Sequence, residues 1–492
     1  MSKKLPNGWI ESTLKDVVIS RKGKKPECSI TEKRDGYVPY ILIDEMEGKA
    51  IRNYTNDLKV PIAKKDDVLI VWDGSIGKTA TNLYGAIGST IVALSPLIIP
   101  AKLLEYYLRT AKSYIEQTSR GTGLQHINQK AFWPMVFPLP PLNEQKRIVA
   151  KLETIMPRID AIKERLDRVP GILKRFRQSV LTAAVTGRLT EQWREEHPVV
   201  ERAEVLLEKI KEFRIKNAEN KRELNAVKNN YKESNERLQN KEMPYPIPDT
   251  WKYCEINSIG NVYNGSTPSR KVTSYWNGEI NWVSSGEVAN LRIKSTCEQI
   301  TQKGFQNSPV KLLPRGTVLI AMIGEGKTRG QTAILDIEST CNQNVAAVLI
   351  NHGYILPEYL YNWFFMQYER NRSLGSGSGP KALNCQRVRE IDFNLPPLEE
   401  QKEIVRQIEK LFTLADKVEA HYQKAKARVD KLSQSVLAKA FRGKLVSQDP
   451  NDEPVEKLLE RILEEKSKME TALKGTRKRG TKKPVKKNGG NK

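Results

Sequence analysis

Residues 139–189 recur as residues 395–445 at a constant offset of 256, with no gap. Leu-Pro-Pro-Leu, Glu-Gln-Lys, Ile-Val, Gln-Ser-Val-Leu and Gly-x-Leu coincide in the two copies. Copies this far apart do not stack as a solenoid, whose short units pack directly on one another. They divide the chain into two large modules, each closed by the same long helix.

The helix is legible in the spacing of its apolar residues. In the first copy they fall at Ile148, Leu152, Ile155, Ile159, Ile162, Leu166, Val169, Leu173, Phe176 and Val180. The second has Ile404, Ile408, Leu411, Ala415, Val418, Tyr422, Ala425, Val429, Leu432 and Val436. Steps of four and three alternate throughout, which is the a/d seam of a coiled coil. At about 1.5 Å per residue such a rod spans roughly 50 Å. Pro157 and Pro170 stand in the first copy where the second has Thr413 and Lys426. Proline interrupts or restarts a helix, so the first rod is expected to break near Val169-Pro170-Gly171.

A chain of 492 residues has room for about three domains. Five scattered cysteines form no C-x-x-C pair, which fits a reducing cytosol and provides no zinc site. Four histidines without spaced partners argue against a histidine metal centre or triad. The chain start lacks an apolar leader core, and no run of about 18 apolar residues occurs. A soluble cytoplasmic protein with no membrane association is expected. The net charge of +24 favours a polyanion, with nucleic acid first. Residues 466–492 account for about ten of these charges, so a surplus remains in the body.

Residues 1–138 read as a strand-rich module. Val38 to Ile43, Asp67 to Trp72 and Thr90 to Leu94 are strand candidates, and a helix is expected from Ala101 to Gln117. Residues 139–190 form the first rod. Residues 191–243 are polar and charged, and are expected to be a solvated helical arm or linker rather than part of a core. Residues 244–394 form the second module, which echoes the first. Pro6-Asn7-Gly8-Trp9 meets Pro248-Asp249-Thr250-Trp251, and Gly23-Lys24-Lys25-Pro26 meets Gly265-Ser266-Thr267-Pro268. Residues 395–446 form the second rod. Residues 447–492 are expected to be a short helix followed by a basic, disordered tail. The shared framework is glycine, proline and apolar residues, whereas the intervening positions differ. One scaffold with two surfaces implies two related ligands.

Residues 321–328 resemble a loosened phosphate loop after a strand. Ala321 replaces its first glycine, and residues 329–335 read as turn then strand, whereas a phosphate loop opens a helix. A nucleotide-hydrolysing enzyme using Gly326-Lys327-Thr328 is therefore the weaker alternative. Leu-Pro-Pro-Leu lacks the aromatic and flanking residues of a methyltransferase loop, and is read as the junction that starts each rod. With no carboxylate pair or nucleophile constellation, the chain reads as non-catalytic.

Binding remains, through loop side chains suited to phosphates and base edges. Candidates in the first module are Lys24, Lys25, Lys78, Arg120, Gln125 and Asn128. In the second they are Ser266, Ser269, Arg270, Lys327, Arg329, Ser378, Lys381 and Asn384. A coiled-coil adaptor without DNA contact is a further alternative.

Two variable modules, each closed by Leu-Pro-Pro-Leu-x-Glu-Gln and a heptad helix ending in Gln-Ser-Val-Leu, resemble the specificity subunit of a type I restriction-modification system. The match covers nearly the whole chain. The resemblance implies an α+β fold: two target-recognition domains separated by two long helices in an antiparallel coiled coil, with a pseudo-twofold internal repeat. It implies that each module reads half of a split, asymmetric site in double-stranded DNA. It also implies two methyltransferase subunits and two restriction or translocase subunits as partners. S-adenosylmethionine, ATP and Mg would then be cofactors of those partners, with none in this chain.

Overall fold

Val68–Val71 is a short, unbroken apolar run, and all four residues are buried. In the computed structural model of the chain it lies inside a four-stranded antiparallel sheet. The strand order is Val18–Lys22, Ile91–Pro96, Val68–Val71, Thr79–Ala80. Successive residues of a strand face opposite sides. Val68 and Ile70 join the cluster that includes Leu103, Leu104 and Leu108 of helix Ala101–Gln117. Leu69 joins Ile41, Ala63 and Ile87 of a second sheet. That sheet runs Tyr54–Thr55, Val38–Ile41, Gly85–Ile87, Ile62–Ala63. With both faces covered, the strand needs no polar alternation.

The structure describes residues 5–121, 123–239, 241–242, 245–289, 292–324, 326–373 and 383–479. They fall into two compact units: Met1–Asp167 with Gln423–Lys492, and Arg168–Tyr422. No helix among the described residues is long and apolar enough to cross a membrane.

In the first unit, helix Leu142–Asp167 places Ile148, Leu152, Met156 and Ile159 in the same core as Leu437 and Ala440. Lys163 pairs with Asp430 at 3.0 Å and Lys426 with Asp167 at 2.9 Å. The two pairs advance in opposite chain directions, so the helices run antiparallel there. Helix Val455–Arg479 adds Val455, Leu458 and Ile462 to this core.

The second unit repeats the strand order. Gly260–Asn264, Val345–Ile350, Val318–Ala321 and Thr332–Leu335 are antiparallel neighbours, and Arg292–Ile293 adds a parallel edge. A three-stranded sheet runs Glu298–Ile300, Trp276–Val283, Thr340–Cys341. Helix Val169–Val185 packs Val180, Leu181 and Ala184 into a core shared with Ile404 and Ile408. Arg177 meets Asp416 at 2.8 Å and Glu419 at 2.9 Å.

The repeated motif has a direct chemical role in each unit. Strand Ile10–Thr13 pairs with Val136–Leu139, and Lys252–Glu255 pairs with Asp392–Leu395. The indole of Trp9 donates to Glu144 Oε2 at 2.9 Å, and that of Trp251 donates to Glu400 Oε2 at 2.8 Å. The neighbouring glutamines fold back to cap the strand-to-helix junction. Gln145 Nε2 donates to the Pro140 carbonyl at 2.8 Å and Gln401 Nε2 to that of Pro396 at 3.1 Å. Leu-Pro-Pro-Leu-x-Glu-Gln thus fastens the start of each module to the start of its rod. The two clasps differ. Glu400 also accepts from Thr190 Oγ1 at 2.7 Å and Arg194 Nη1 at 2.5 Å. The places of Thr190 and Arg194 are taken by Val446 and Pro450 in the other copy. Glu144 is 1% exposed and its Oε1 has no hydrogen-bond partner.

Several expectations need correction. Residues 191–243 are not a solvated arm. Ala203, Leu206 and Ile210 of helix Ala203–Lys216 enter the second unit's core. Helix Lys221–Gln239 buries Val227 and Tyr231, and Arg237 makes two bonds to the buried Glu255 at 2.9 and 2.7 Å. A handful of apolar residues on one face, joined by ion pairs, is enough to dock a helix that lacks an apolar stripe. The C-terminal helix is not short: it extends to Arg479, while residues 480–492 lie outside the described residues. The seam is not continuous either. Ile162, Val418 and Leu432 are 44%, 42% and 49% exposed. A straight helix drifts about 20° per heptad from a 3.5-residue repeat, which turns such positions off a seam one side chain wide. Pro157 sits exposed inside an intact helix, and the break falls at Arg168, with Pro170 in the first turn of the next helix.

Candidate nucleic-acid interface

In the first unit, one edge of the four-stranded sheet gathers the loops that carry the polar candidates. Strands Val18–Lys22 and Val68–Val71 end there, and Thr79–Ala80 and Ile91–Pro96 begin there. Gly23 N donates to Ile91 O at 2.9 Å, and Trp72 N to Thr90 O at 2.8 Å. Gly74 N reaches Gln125 O at 2.8 Å, and Ile127 N reaches Trp72 O at 3.0 Å. These backbone bonds draw the turn at 72–78 and the loop at 120–128 together.

The glycine at the head of the first loop is required by close approach. A Cβ on Gly23 would lie 2.1 Å from Gly88 O. The equivalent Gly265 would place a Cβ 2.0 Å from Asn342 O. This is the physical content of the repeated Gly-x-x-Pro.

Lys24, Lys25, Arg120 and Gln125 are exposed at this edge. Lys78 is half-buried and ion-paired with Glu47. Asn128 uses its side chain locally, accepting from Lys130 N at 3.2 Å to cap helix Gln129–Phe132. Sequence reasoning missed the centre of the cluster. Asp73 accepts from Lys22 Nζ at 3.2 Å and lies 2.7 Å from His126 Nδ1. The His126–Asp73 pair is separated by 53 residues, and no spacing signals it.

The second unit builds the same edge. Gly265 N donates to Val345 O at 3.1 Å and Ser266 N to Cys341 O at 2.8 Å. Met322 N reaches Asn344 O at 2.8 Å, and Leu383 N reaches Met322 O at 2.9 Å. Asn384 caps helix Cys385–Arg389 through Arg387 N at 2.8 Å, as Asn128 does in the first unit. Residues 326–331 are a turn between antiparallel strands Val318–Ala321 and Thr332–Leu335, so Lys327 lies on a hairpin and no helix follows.

The side chains at this edge are of another kind. The Arg270 guanidinium lies 3.8 Å from the Trp276 ring centroid and 5.0 Å from that of Trp282, and holds Glu298 through both nitrogens. The Glu298 bonds raise the Arg270 pKa, and Arg270 lowers that of Glu298. The indoles of Trp282 and Trp276 donate to the carbonyls of Ser266, at 3.0 Å, and Ser269, at 3.3 Å. Ser266, Ser269 and Arg270 are therefore brought into one loop platform. Lys327 is exposed, and its carbonyl accepts from Tyr368 Oη at 2.6 Å. Arg329 stands apart: it is 7% exposed, and its carbonyl accepts from Arg372 at 3.2 Å. Ser378 and Lys381 lie outside the described residues. Tyr368 and Arg372, which hold the Lys327 turn in place, were not singled out from the sequence.

Charged and amide groups on a rigid sheet edge can position phosphates and meet base edges. The group set offers donors in the first unit and a clamped arginine with aromatic rings in the second. No cluster of His, Cys, Asp and Glu suited to a metal occurs among the described residues.

The family described as the type I restriction modification DNA specificity domain matches residues 6–170 and 248–426. The type I restriction enzyme EcoBI specificity subunit of Escherichia coli is 27% identical over 460 residues, covering 90% of this chain and 87% of that protein. The StySPI specificity subunit of Salmonella potsdam is 26% identical over 510 residues, covering 98% and 99%. Among solved structures, a chain from work on complex assembly and conformational transition of the type I R-M system aligns over 90% of this chain and 100% of its own. Its TM-score is 0.61 at 19% identity.

Proposed function

Since this chain belongs to the type I restriction-modification DNA specificity family, we propose that its two modules each read one half of a bipartite, asymmetric site in double-stranded DNA. The observation that carries this reading is the recurrence of one sheet edge with different side chains. The first edge presents Lys24, Lys25, Arg120 and Gln125, and the second presents Ser266, Ser269, the clamped Arg270 and Lys327. Equivalent frames with unlike chemistry suit half-sites of unlike sequence.

The rods, packed antiparallel as a coiled coil with pseudo-twofold symmetry, set the unspecified spacer and dock two methyltransferase subunits. Two restriction or translocase subunits join these. A rod of roughly 50 Å suits readers about one DNA turn apart, roughly 34 Å. The chain directs chemistry and performs none. S-adenosylmethionine, ATP and Mg belong to the partners. The hairpin setting of Gly326-Lys327-Thr328 supports this reading over nucleotide hydrolysis, because a phosphate loop uses the N-terminus of a following helix.

The test is a module exchange. Replacing residues 1–138 with the corresponding module of a relative, followed by mapping of methylated adenines, should change one half-site and leave the other intact. Unchanged specificity would overturn the two-reader assignment. ATP hydrolysis by the purified chain, lost on Lys327→Ala, would favour the enzyme. No salt-dependent duplex binding, with or without a methyltransferase partner, would favour the adaptor.

A further inference from the structure

Lys22, Asp73 and His126 form one chain of contacts at the first unit's sheet edge. Asp73 Oδ1 lies 2.7 Å from His126 Nδ1, and Asp73 Oδ2 accepts from Lys22 Nζ at 3.2 Å. The Asp73 side chain is 14% exposed and that of His126 is 50% exposed. A carboxylate only accepts, so Nδ1 carries the proton and the ring is held in one orientation. Nε2 makes no hydrogen bond among the described residues. In the neutral imidazole it is a lone acceptor on a half-exposed ring.

Backbone bonds already close this corner of the fold without the side-chain pair. Arg120 N donates to His126 O at 3.0 Å and His126 N to Arg120 O at 2.8 Å, in addition to the bonds made by Gly74 N and Ile127 N. The duplicate provides an internal comparison. Backbone bonds frame Trp72 in the first unit as they frame Met322 in the second, and Ile127 corresponds to Leu383. In sequence, Ile323 then stands in the place of Asp73, Ala382 in that of His126 and Asn264 in that of Lys22. All three members of the trio change together while the frame around them is kept. The trio belongs with the side chains that distinguish the two surfaces, not with the shared scaffold.

We propose that His126 is a specificity-determining residue for the first half-site, with Asp73 as its positioning residue, and that Nε2 accepts from the exocyclic amine of adenine or cytosine in the major groove. This rests on the half-site reading above and assigns one position within it. Adenine N6 and cytosine N4 are donors there, whereas guanine O6 and thymine O4 at the same place are acceptors. The polarity of Nε2 therefore decides which bases are admitted, and Asp73 sets that polarity. Lys22 makes the dependence testable, because an ammonium can only donate. In Asp73→Asn the amide oxygen turns to Lys22 and the amide nitrogen to His126. Nδ1 must then accept, the proton moves to Nε2, and the lone acceptor becomes a donor suited to guanine or thymine. Protonation of the ring has the same effect on Nε2. The charged groups around the ring are Asp73 on the turn at 72–78, Lys22 on its strand and Arg120 on the ring's own loop.

The test is selection from a randomised duplex pool by the full chain with its methyltransferase partner, at about pH 8 and about pH 5.5, on either side of the range in which imidazole titrates. At the higher pH one position of the first half-site should be enriched about tenfold in adenine or cytosine, and the base selected tells the two amines apart. Asp73→Asn should move that position to guanine or thymine, and the lower pH should move it the same way in the unchanged chain. His126→Phe should leave the position without preference at both pH values. The second half-site, selected as before in every case, reports that the chain is folded and assembled. Should Asp73→Asn lose the first half-site altogether, the pH response of the unchanged chain and its absence in His126→Phe still decide. A first half-site that keeps its bases in both variants would overturn the proposal. So would a His126→Phe chain that binds all duplexes more weakly with no change of base, which is the mark of a phosphate contact or a structural clip. Absence of any half-site preference in the unchanged chain would instead overturn half-site reading, and this assignment with it.

Discussion

Glu144 and Glu400 occupy equivalent places, yet their removal should have opposite consequences. Each accepts an indole hydrogen bond and each is 1% exposed or less. Glu400 also holds Arg194, whose side chain is 19% exposed, and Thr190. Glu400→Gln leaves Arg194 without its counter-charge in a largely buried site. Breaking a buried pair costs about 3–5 kcal/mol, and partial solvation of Arg194 argues for the lower end, about 3 kcal/mol. Glu144 has no such cation at hydrogen-bond distance, and its Oε1 is unpartnered. Glu144→Gln keeps an acceptor for Trp9 and removes a buried charge, so a change within about 1 kcal/mol, or a gain, is expected. Burial raises the Glu144 pKa, against smaller lowering by Trp9 and Arg147. A carboxyl whose folded pKa is raised contributes most below its unfolded value, and loses that contribution as pH rises through the folded value. The first clasp should therefore tighten as pH falls toward the ordinary carboxylate range, and Glu144→Gln should abolish that dependence. Since two units need not unfold together, the assay is hydrogen exchange read by mass spectrometry on peptides covering 8–14 with 142–150, and 250–256 with 398–408. Equal destabilisation of the two clasps, or a pH response in the first that survives Glu144→Gln, would refute the reasoning.

Three further substitutions test the frame. Gly23→Ala and Gly265→Ala each drive a methyl to about 2 Å from a backbone oxygen. Each should displace its loop, abolish recognition of one half-site in a methylation map and leave the other half-site readable. Arg237→Ala strands the buried Glu255 carboxylate and should destabilise the docking of helix Lys221–Gln239 by about 3 kcal/mol. Exchange in 221–239 should accelerate while peptides of the first unit stay unchanged.

The duplication, the rods and the candidate strands were legible because they rest on local patterns. A four-three spacing of apolar residues makes a helix wherever it occurs, and Val68–Val71 reads as a buried strand on its own. The α+β class follows from such elements, and the chain is mixed helix and sheet alongside its structural relative. The docking of residues 203–239 was not legible. Its buried residues are few, and its ion pairs join Arg237 to Glu255 and Lys241 to Asp392 across a fold.

The same division runs through the candidate interface. Sequence by itself determined that two related modules exist, that their loops differ, and that glycines recur at 23 and 265. Only the tertiary structure decided which loops share an edge, that Asp73 gathers Lys22 and His126, and that Arg270 is clamped by Trp276, Trp282 and Glu298. It also decided that Arg329 is buried. Backbone conformation and helix periodicity are set by neighbours in the chain. The surroundings of a charge are set by groups tens to hundreds of residues away, which sequence spacing does not encode.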